Sequence, residues 1–399
     1  MNPAITEIQT SVAGGVGLIT LNRAKALNAL SLPMVQALLA TLRSWRDDPA
    51  VFAVAIRGTN KAGPPGSPDS FFGSFCAGGD IRFFHQAALA NDPALETFFT
   101  EEYTLNHLIH NYPKPYIAFM DGIVMGGGMG ICQGPALASL TGNIGSAPGK
   151  PSARQVGVVR IVTERTKMAM PETGIGLFPD VGGGYFLSRC PGNAGEYLAL
   201  TGNTIGGDQA VAWGLADVCL PAHTLPTLWA ALQVQGSAEA LQHWITTNVI
   251  APYVDSTRAI ASFDADILAA FGMDSISAIV SALDAQGTEA AKAVAATLRH
   301  RSPLMLHVVL EQIRRARSLS LADDLRMERG LVQHCFYTAH LERSGARSET
   351  VEGIRALAID KDFKPAWNPA RIEDVTPQMV TPFFVSPWSA DAHPLRNLA

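Results

Sequence analysis

Tyr116-Ile117-Ala118-Phe119-Met120, followed by Asp121-Gly122 and then by Met125-Gly126-Gly127-Gly128-Met129-Gly130, is the stretch on which the reading of the fold turns. An unbroken apolar run of strand length, without polar alternation, is the mark of a strand buried on both faces. The glycines behind it suit a chain that leaves such a strand and passes close to another backbone. The same grammar recurs upstream. Val16-Gly17-Leu18-Ile19-Thr20-Leu21 has strand character, and residues 51–56 form a second continuous apolar run. Between them Ser31 is a good helix cap and Pro33 is tolerated in a first turn, after which Met34, Val35, Leu38, Leu39, Leu42 and Trp45 share one face. Strands alternating with helices and punctuated by glycine turns predict an α/β core over residues 1–222. After Pro221 the texture becomes alanine-rich and helical, through 225–246, 256–270, 275–283, 288–298 and 323–341, so residues 223–399 are expected to form a helical C-terminal region. In the last of these, Leu325, Leu331, Val332, Cys335, Phe336 and Ala339 make a broad apolar stripe. Residues 58–70 and 142–154, rich in Gly, Pro and Ser, read as surface loops.

Composition narrows the function. The chain has 399 residues, 30 Lys+Arg against 35 Asp+Glu, a formal net charge of −5, 47% hydrophobic and 16% charged residues. That is a folded composition rather than a disordered one, and it argues against nucleic acid as partner. No apolar run approaches the ~18–20 residues of a membrane span, so no membrane partner is expected. The opening MNPAITEIQTSVAGG lacks a basic segment followed by an apolar one, and Cys76, Cys132, Cys190, Cys219 and Cys335 are scattered and odd in number. Reduced thiols and a cytoplasmic location are the expectation.

Three segments carry candidate chemistry. Phe75-Cys76-Ala77-Gly78-Gly79-Asp80-Ile81 is a small-residue loop entering a helix; its plain reading is a tight turn with Asp80 in the first helical turn. Residues 122–130 form the second loop, whose plain reading is close helix–strand packing. Neither ends in the Gly-Lys-Ser/Thr of a phosphate loop, and Ile131 stands where a dinucleotide fingerprint needs glycine. Two separate glycine loops can instead each donate one main-chain N–H to a carbonyl oxygen that gains negative charge. The third segment, Met170-Pro171-Glu172-Thr173-Gly174-Ile175-Gly176-Leu177-Phe178-Pro179-Asp180-Val181-Gly182-Gly183-Gly184, sets Glu172 and Asp180 among apolar residues and glycines. Such surroundings disfavour the charged carboxylate and raise its pKa toward the range useful for proton transfer. A capping Glu and a turn Asp are the plain alternative.

Taken together and in this order, these segments resemble the enoyl-CoA hydratase/isomerase (crotonase) superfamily. The resemblance also rests on Ile19 to Arg23, Lys25 to Leu30, Glu101-Glu102-Tyr103, Lys114-Pro115-Tyr116, Leu198 to Gly202, Ser302-Pro303, Glu352 to Ala356 and Asp360-Lys361-Asp362, and so runs over about residues 10–375. It implies a crotonase-like α/β spiral of repeated ββα units followed by helices that cover the site or mediate association. It further implies a small-molecule acyl-CoA thioester substrate, no cofactor beyond the coenzyme A of that substrate, and no metal. By position, Gly79 and Gly127 would be the oxyanion donors and Glu172 the catalytic glutamate, with Asp180 a neighbouring catalytic or substrate-contacting carboxylate. Glu102 would be a further substrate contact, and Ala77, Gly78, Asp80 and Ala26 would lie along the substrate. The superfamily's frequent trimers and hexamers leave a homo-oligomer open.

Among the family's chemistries, a hydratase needs two carboxylates, the first of them two residues past the triple glycine. Here that position is Gly130. A dienoyl-CoA isomerase resembles this chain at Glu172 and Asp180 but uses an acid at the same missing position. Thioester hydrolysis needs fewer parts: two amides and Glu172, acting either as general base or as nucleophile. The string from Pro171 to Gly184 resembles the superfamily's hydrolase group, in which the pathway would be valine breakdown. An acyl-CoA-binding protein without catalysis is the alternative from another class, and the retained carboxylates weigh against it. His107 and His110, three apart on a probable helix, lack an evident third metal ligand. Cys76 reads as a small buried thiol, and Arg314-Arg315-Ala316-Arg317 as a solvated face, with contact to coenzyme A phosphates as the sharper alternative.

Overall fold

The computed structural model describes residues 6–63, 67–137, 157–251 and 263–399. The 142–154 insertion therefore lies outside the described residues, apart from the sequence-level reading above. The chain divides into two compact units. Unit 1 comprises Met1–Gly79, Leu105–Met168 and Ile205–Ala261; unit 2 comprises Asp80–Thr104, Ala169–Thr204 and Ser262–Ala399. This division interleaves along the chain and differs from a cut at residue 222. Compactness follows which stretches pack together, and sequence texture does not report that.

Unit 1 is built on a six-stranded sheet of order β1-β2-β3-β4-β6-β8: β1 (Ile8–Ala13), β2 (Val16–Leu21), β3 (Ala53–Gly58), β4 (Tyr116–Met120), β6 (Val158–Thr163) and β8 (Val218–Leu220). β1 pairs antiparallel with β2, and every later pairing is parallel. β2, β3, β4 and β6 are buried along their whole length, which is why they read as continuous apolar runs. A second, narrower strip crosses the segments that follow the strands. Its links are Leu30 with Gly79, Cys76 with Val124, β5 (Ile123–Met125) with β7 (Lys167–Ala169), and Met168 with Ile205. Main strand, short strand, helix: the repeat gives the ββα turns, with α1 (Leu32–Asp47), capped by the Ser31 hydroxyl, as the first helix. On one face of the sheet Val16, Leu18, Ala55, Phe119 and Ile161 pack with Trp229 and Leu232 of α8 (Leu225–Leu232). The helix expected over 225–246 is interrupted: α8 ends, Gly236 takes a positive φ of 75°, and Ser237 caps α9 (Ala238–Trp244).

Unit 2 holds α2 (Ile81–Ala90), the first part of α3 (Ala94–His110), and a bundle of later helices. These include α10 (Ala265–Ala270), α11 (Ile276–Gln286), α12 (Glu289–His300), α13 (Pro303–Ala316), α14 (Leu321–Phe336) and α15 (Glu349–Ile354). Ser275, Thr288, Ser302, Ser320 and Ser348 cap α11 to α15 through their hydroxyls. The helix expected over 323–341 begins earlier and stops at Phe336, where residues 337–338 pair with 343–344 instead. Phe84, Phe98, Phe99 and Phe336 stack with centroids 4.8–5.9 Å apart, and Tyr103 joins at 6.1 Å from Phe99. This cluster fixes the face of α3 that carries Glu102 and Tyr103.

Candidate active site

Two sets of groups emerge, one in each unit. In unit 1 the two glycine loops meet. A Cβ on Gly128 would stand 2.3 Å from the Cys76 carbonyl oxygen, and one on Gly78 would stand 3.2 Å from the Met125 oxygen and 3.6 Å from the Gly127 nitrogen. Gly78 has φ of +104° and Gly126 φ of 48°, conformations that favour glycine. The Gly78 carbonyl accepts from Leu30 N–H at 2.7 Å. Because a trans peptide points its C=O and N–H in opposite directions, that bond turns the Gly79 N–H away from Leu30. Gly127 opens the short helix α4 (Gly127–Gly130), whose first N–H groups have no acceptor within the helix. Gly130, at the position of a hydratase carboxylate, is buried and contributes no side chain.

Asn28 holds this arrangement. Fully buried and at φ of 57°, it donates from Nδ2 to the carbonyls of Thr59 (2.8 Å), Ser74 (3.1 Å) and Phe75 (3.0 Å). Its Oδ1 accepts from Arg23 N–H at 2.9 Å, and Ala77 N–H donates to the Leu27 carbonyl at 3.0 Å. One side chain thus ties the Lys25–Leu30 segment, with half-buried Ala26, to the first glycine loop. Cys76 is buried and its thiol faces the Asn28 carbonyl at 3.1 Å, the packing role expected of it.

Unit 2 supplies the carboxylates. Glu172 and Asp180 are each 6% exposed and Glu102 is 1% exposed. Glu172 opens a short helical turn, Glu172–Ile175. Thr350 of α15 donates to the Gly176 carbonyl at 2.7 Å, and Ser302 N–H donates to the Thr173 carbonyl at 3.1 Å, so the turn is pinned from two sides. One oxygen of Glu172 and one of Glu102 are buried with no hydrogen-bond donor among the described residues. Burial, then the negative charge of Asp180, pushes both glutamates well above the ordinary carboxyl range, and Glu172 adds to the effect on Glu102. Burial raises Asp180 to about 7 against the opposing pull of its hydrogen bonds. One of these is the Tyr103 hydroxyl, donating to Oδ2 at 2.9 Å. Three acids held partly neutral in a dry cluster are the setting for proton transfer near neutral pH.

A second acidic layer shapes the first. After Asp180 the chain turns through Val181 at φ of 58° and Gly182 at 83°. For a β-branched residue that conformation costs on the order of 1–3 kcal/mol. Glu328 of α14 offsets it, accepting from Gly182 N–H at 2.7 Å and Gly184 N–H at 2.9 Å. Asp324, one turn earlier, accepts from Tyr185 N–H at 2.8 Å, and Gln312 of α13 donates to the Pro179 carbonyl at 2.7 Å. Burial raises Asp324 to about 7, and burial, then the negative charge of Asp324, raises Glu328 well above the ordinary carboxyl range. Reading the sequence for chemistry missed Tyr103, Gln312, Asp324 and Glu328. The signal was that residues 324 and 328 fall on the same helical face as Leu331 and Cys335, where acids do not belong unless partnered.

Other expectations resolve variously. Asp80 caps α2, accepting from Phe83 N–H at 3.3 Å, and Ala77 and Gly79 are half-buried. The Arg314 cluster is bound up in the fold: Arg314 donates to the carbonyls of Met273 and Asp274, Arg315 pairs with Glu311, and Arg317 pairs with Glu196. Neither His107, which contacts Asn111, nor His110 belongs to a group of three or more metal-ligating side chains among the described residues.

A fold of ββα repeats with paired glycine loops and buried acids defines a class, and the sequence comparison names it. The chain belongs to the enoyl-CoA hydratase/isomerase family, whose model matches residues 16–143 and 153–384. Among characterised relatives, the mitochondrial 3-hydroxyisobutyryl-CoA hydrolase of Xenopus tropicalis is 36% identical over 385 residues, covering 95% of this chain and 89% of that protein. Among solved structures, a carnitinyl-CoA dehydratase from Mycobacterium thermoresistibile superposes with a TM-score of 0.74 at 34% identity, over 98% of this chain and 99% of that one. An enoyl-CoA hydratase from Rhodobacter sphaeroides 2.4.1 gives 0.72 at 31% identity, over 96% and 98%. The expectation of a cytoplasmic location does not stand, because relatives spanning nearly the whole chain are mitochondrial proteins. All five cysteines are buried. A thiol sequestered in a protein interior reports that interior and not the compartment around it.

Proposed function

We propose that this chain hydrolyses an acyl-CoA thioester, with 3-hydroxyisobutyryl-CoA as its substrate, and so serves valine breakdown. The observation that carries the reading is Glu172: buried, pinned, with one oxygen lacking a donor among the described residues and its pKa raised by burial and then by the charge of Asp180. In this reading the thioester oxygen takes hydrogen bonds from the N–H groups of Gly79 and Gly127, and negative charge gathers there as the carbonyl carbon is attacked. Glu172 either removes a proton from water, whose oxygen bonds to that carbon, or attacks it directly to give a mixed anhydride that water then opens. In both routes the carbon–sulfur bond breaks, the sulfur leaves as coenzyme A and takes up a proton, and the acyl group leaves as a carboxylic acid. Asp180 and Glu102 orient Glu172, water and the substrate hydroxyl, while Ala26, Ala77, Gly78 and Asp80 line the path of the coenzyme A portion. No cofactor or metal enters these steps.

The test is thiol release from (S)-3-hydroxyisobutyryl-CoA, followed with a thiol-trapping reagent. Glu172→Ala abolishes release while the far-UV spectrum is unchanged; undiminished turnover in that variant overturns the mechanism. A second reading, hydration or dehydration of the acyl chain, is favoured by the chemistry of the two solved relatives. It predicts loss of enoyl absorbance from an unsaturated thioester without thiol release. The absence of a side chain at Gly130 speaks against it.

A further inference from the structure

Unit 1 contains a cavity of about 430 Å³ that shares no lining residue with the glycine loops or the carboxylates; Arg57, Phe71, Trp229, Thr20, Ser11 and Gln233 are among those lining it. Arg57 sits on β3 between Thr20 of β2 and Phe119 of β4 in register, on the sheet face otherwise filled by Leu18, Ala55 and Phe119. It is only 9% exposed. A guanidinium at such a position is costly to bury unless something compensates its charge. No carboxylate does so: among the described residues Arg57 forms no ion pair, and no acid lines the cavity. Burial alone lowers its pKa, to about 10, so it stays protonated at neutral pH.

What surrounds the cation is aromatic. Its central carbon lies 3.6 Å from the Phe71 ring centroid and 4.2 Å from that of Trp229. Cation–π contacts engage the faces of the guanidinium. The N–H groups lie in its plane, and of these Nε donates to Thr20 Oγ1 at 3.1 Å. The in-plane edge is the part of an arginine that matches a carboxylate or phosphate with two parallel hydrogen bonds. The remaining polar lining, Gln9, Thr10, Ser11, Thr20 and Gln233, is neutral, so among the described residues the cavity carries a single uncompensated positive charge, and it has enough volume for a small organic molecule.

We propose that this cavity binds an oxyanion, the carboxylate or phosphate group of a small molecule, held in plane by Arg57 and bordered by the hydroxyls of Ser11 and Thr20. The test is isothermal titration of the full-length chain with inorganic phosphate and, separately, with propionate, at constant ionic strength with chloride as the reference anion. The expected result is saturable binding of at least one of the two, and the tighter of them identifies the anionic group. Arg57→Lys keeps the charge and loses the planar fork, and should weaken binding at least tenfold. Ser11→Trp fills the cavity from the exposed edge strand without touching the core, and should block binding while thiol release from the thioester continues. It keeps the proposal testable if Arg57→Lys fails to fold. Absence of saturable binding to the wild-type chain, or equal affinity in Ser11→Trp, overturns the proposal.

Discussion

The glycine loops of unit 1 and the carboxylate layer of unit 2 are built on opposite principles. The loops work by main-chain groups, and their precision comes from removing side chains: Gly128 lets two backbones approach to a distance that any Cβ would forbid, and Gly78 takes a φ of +104° that favours glycine. The carboxylate layer works by side chains, and its character comes from crowding acids where water is absent, so that burial and mutual repulsion hold them partly neutral. A backbone donor carries the same partial charge at every pH, whereas a buried acid is a titrating device. The two regions should therefore fail differently when perturbed: the first through geometry, the second through protonation.

The largest expected effect belongs to the acid. Glu172→Gln preserves shape and removes the ionisable group, and thiol release should fall by about 10²–10⁴-fold with thermal stability retained. Gly128→Ala is the matching attack on geometry. Its Cβ would meet the Cys76 carbonyl at 2.3 Å, so the loops must part and Gly127 must shift. Losing one well-aimed donor predicts a drop of about 10²–10³-fold, at every pH alike. If the Gly128→Ala deficit instead varies with pH, the contrast between the two regions breaks.

Asn28→Ala probes what holds the loops. It leaves three buried carbonyls without their shared donor, and the expected cost is about 2–4 kcal/mol in denaturant unfolding. Asp180→Asn sharpens the titration side. Asp180 has its folded pKa raised to about 7, so its contribution to stability is fully present below the ordinary value of 3.8 and is lost as pH rises through about 7. The variant cannot ionise, and thermal melts should show it gaining on the wild type as pH rises from about 4 to about 7, with no further change above that. Its missing charge also relieves Glu172, so the acid limb of any residual activity should move to lower pH.

How much of this was legible in the sequence depended on whether a feature is local. Ser31 and the stripe from Met34 to Trp45 announced α1, because capping and periodicity act within a few residues. The β4 run ended where the strand ends, for the same reason. The break at Gly236 was missed because an alanine-rich stretch on either side masks a single positive-φ glycine. Glu172 and Asp180 were visible as acids in an apolar string. Asn28 was visible only as a member of that string's companion motif, since the carbonyls its amide serves lie more than thirty positions away. Arg57 gave no signal, because a lone arginine after an apolar strand is commonly exposed.

By itself the amino-acid order determined the buried strands, the Ser31 start of α1, the glycine loops and the identity of the acids, since each follows from the conformational and hydration preferences of neighbouring residues. Only the tertiary structure decided which of these groups are dry. It brought Glu328 and Asp324 of α14 onto the Gly182–Tyr185 main chain, set Tyr103 against Asp180, and closed rings over Arg57. The reason is that desolvation depends on every segment that covers a group, and those segments come from all along the chain.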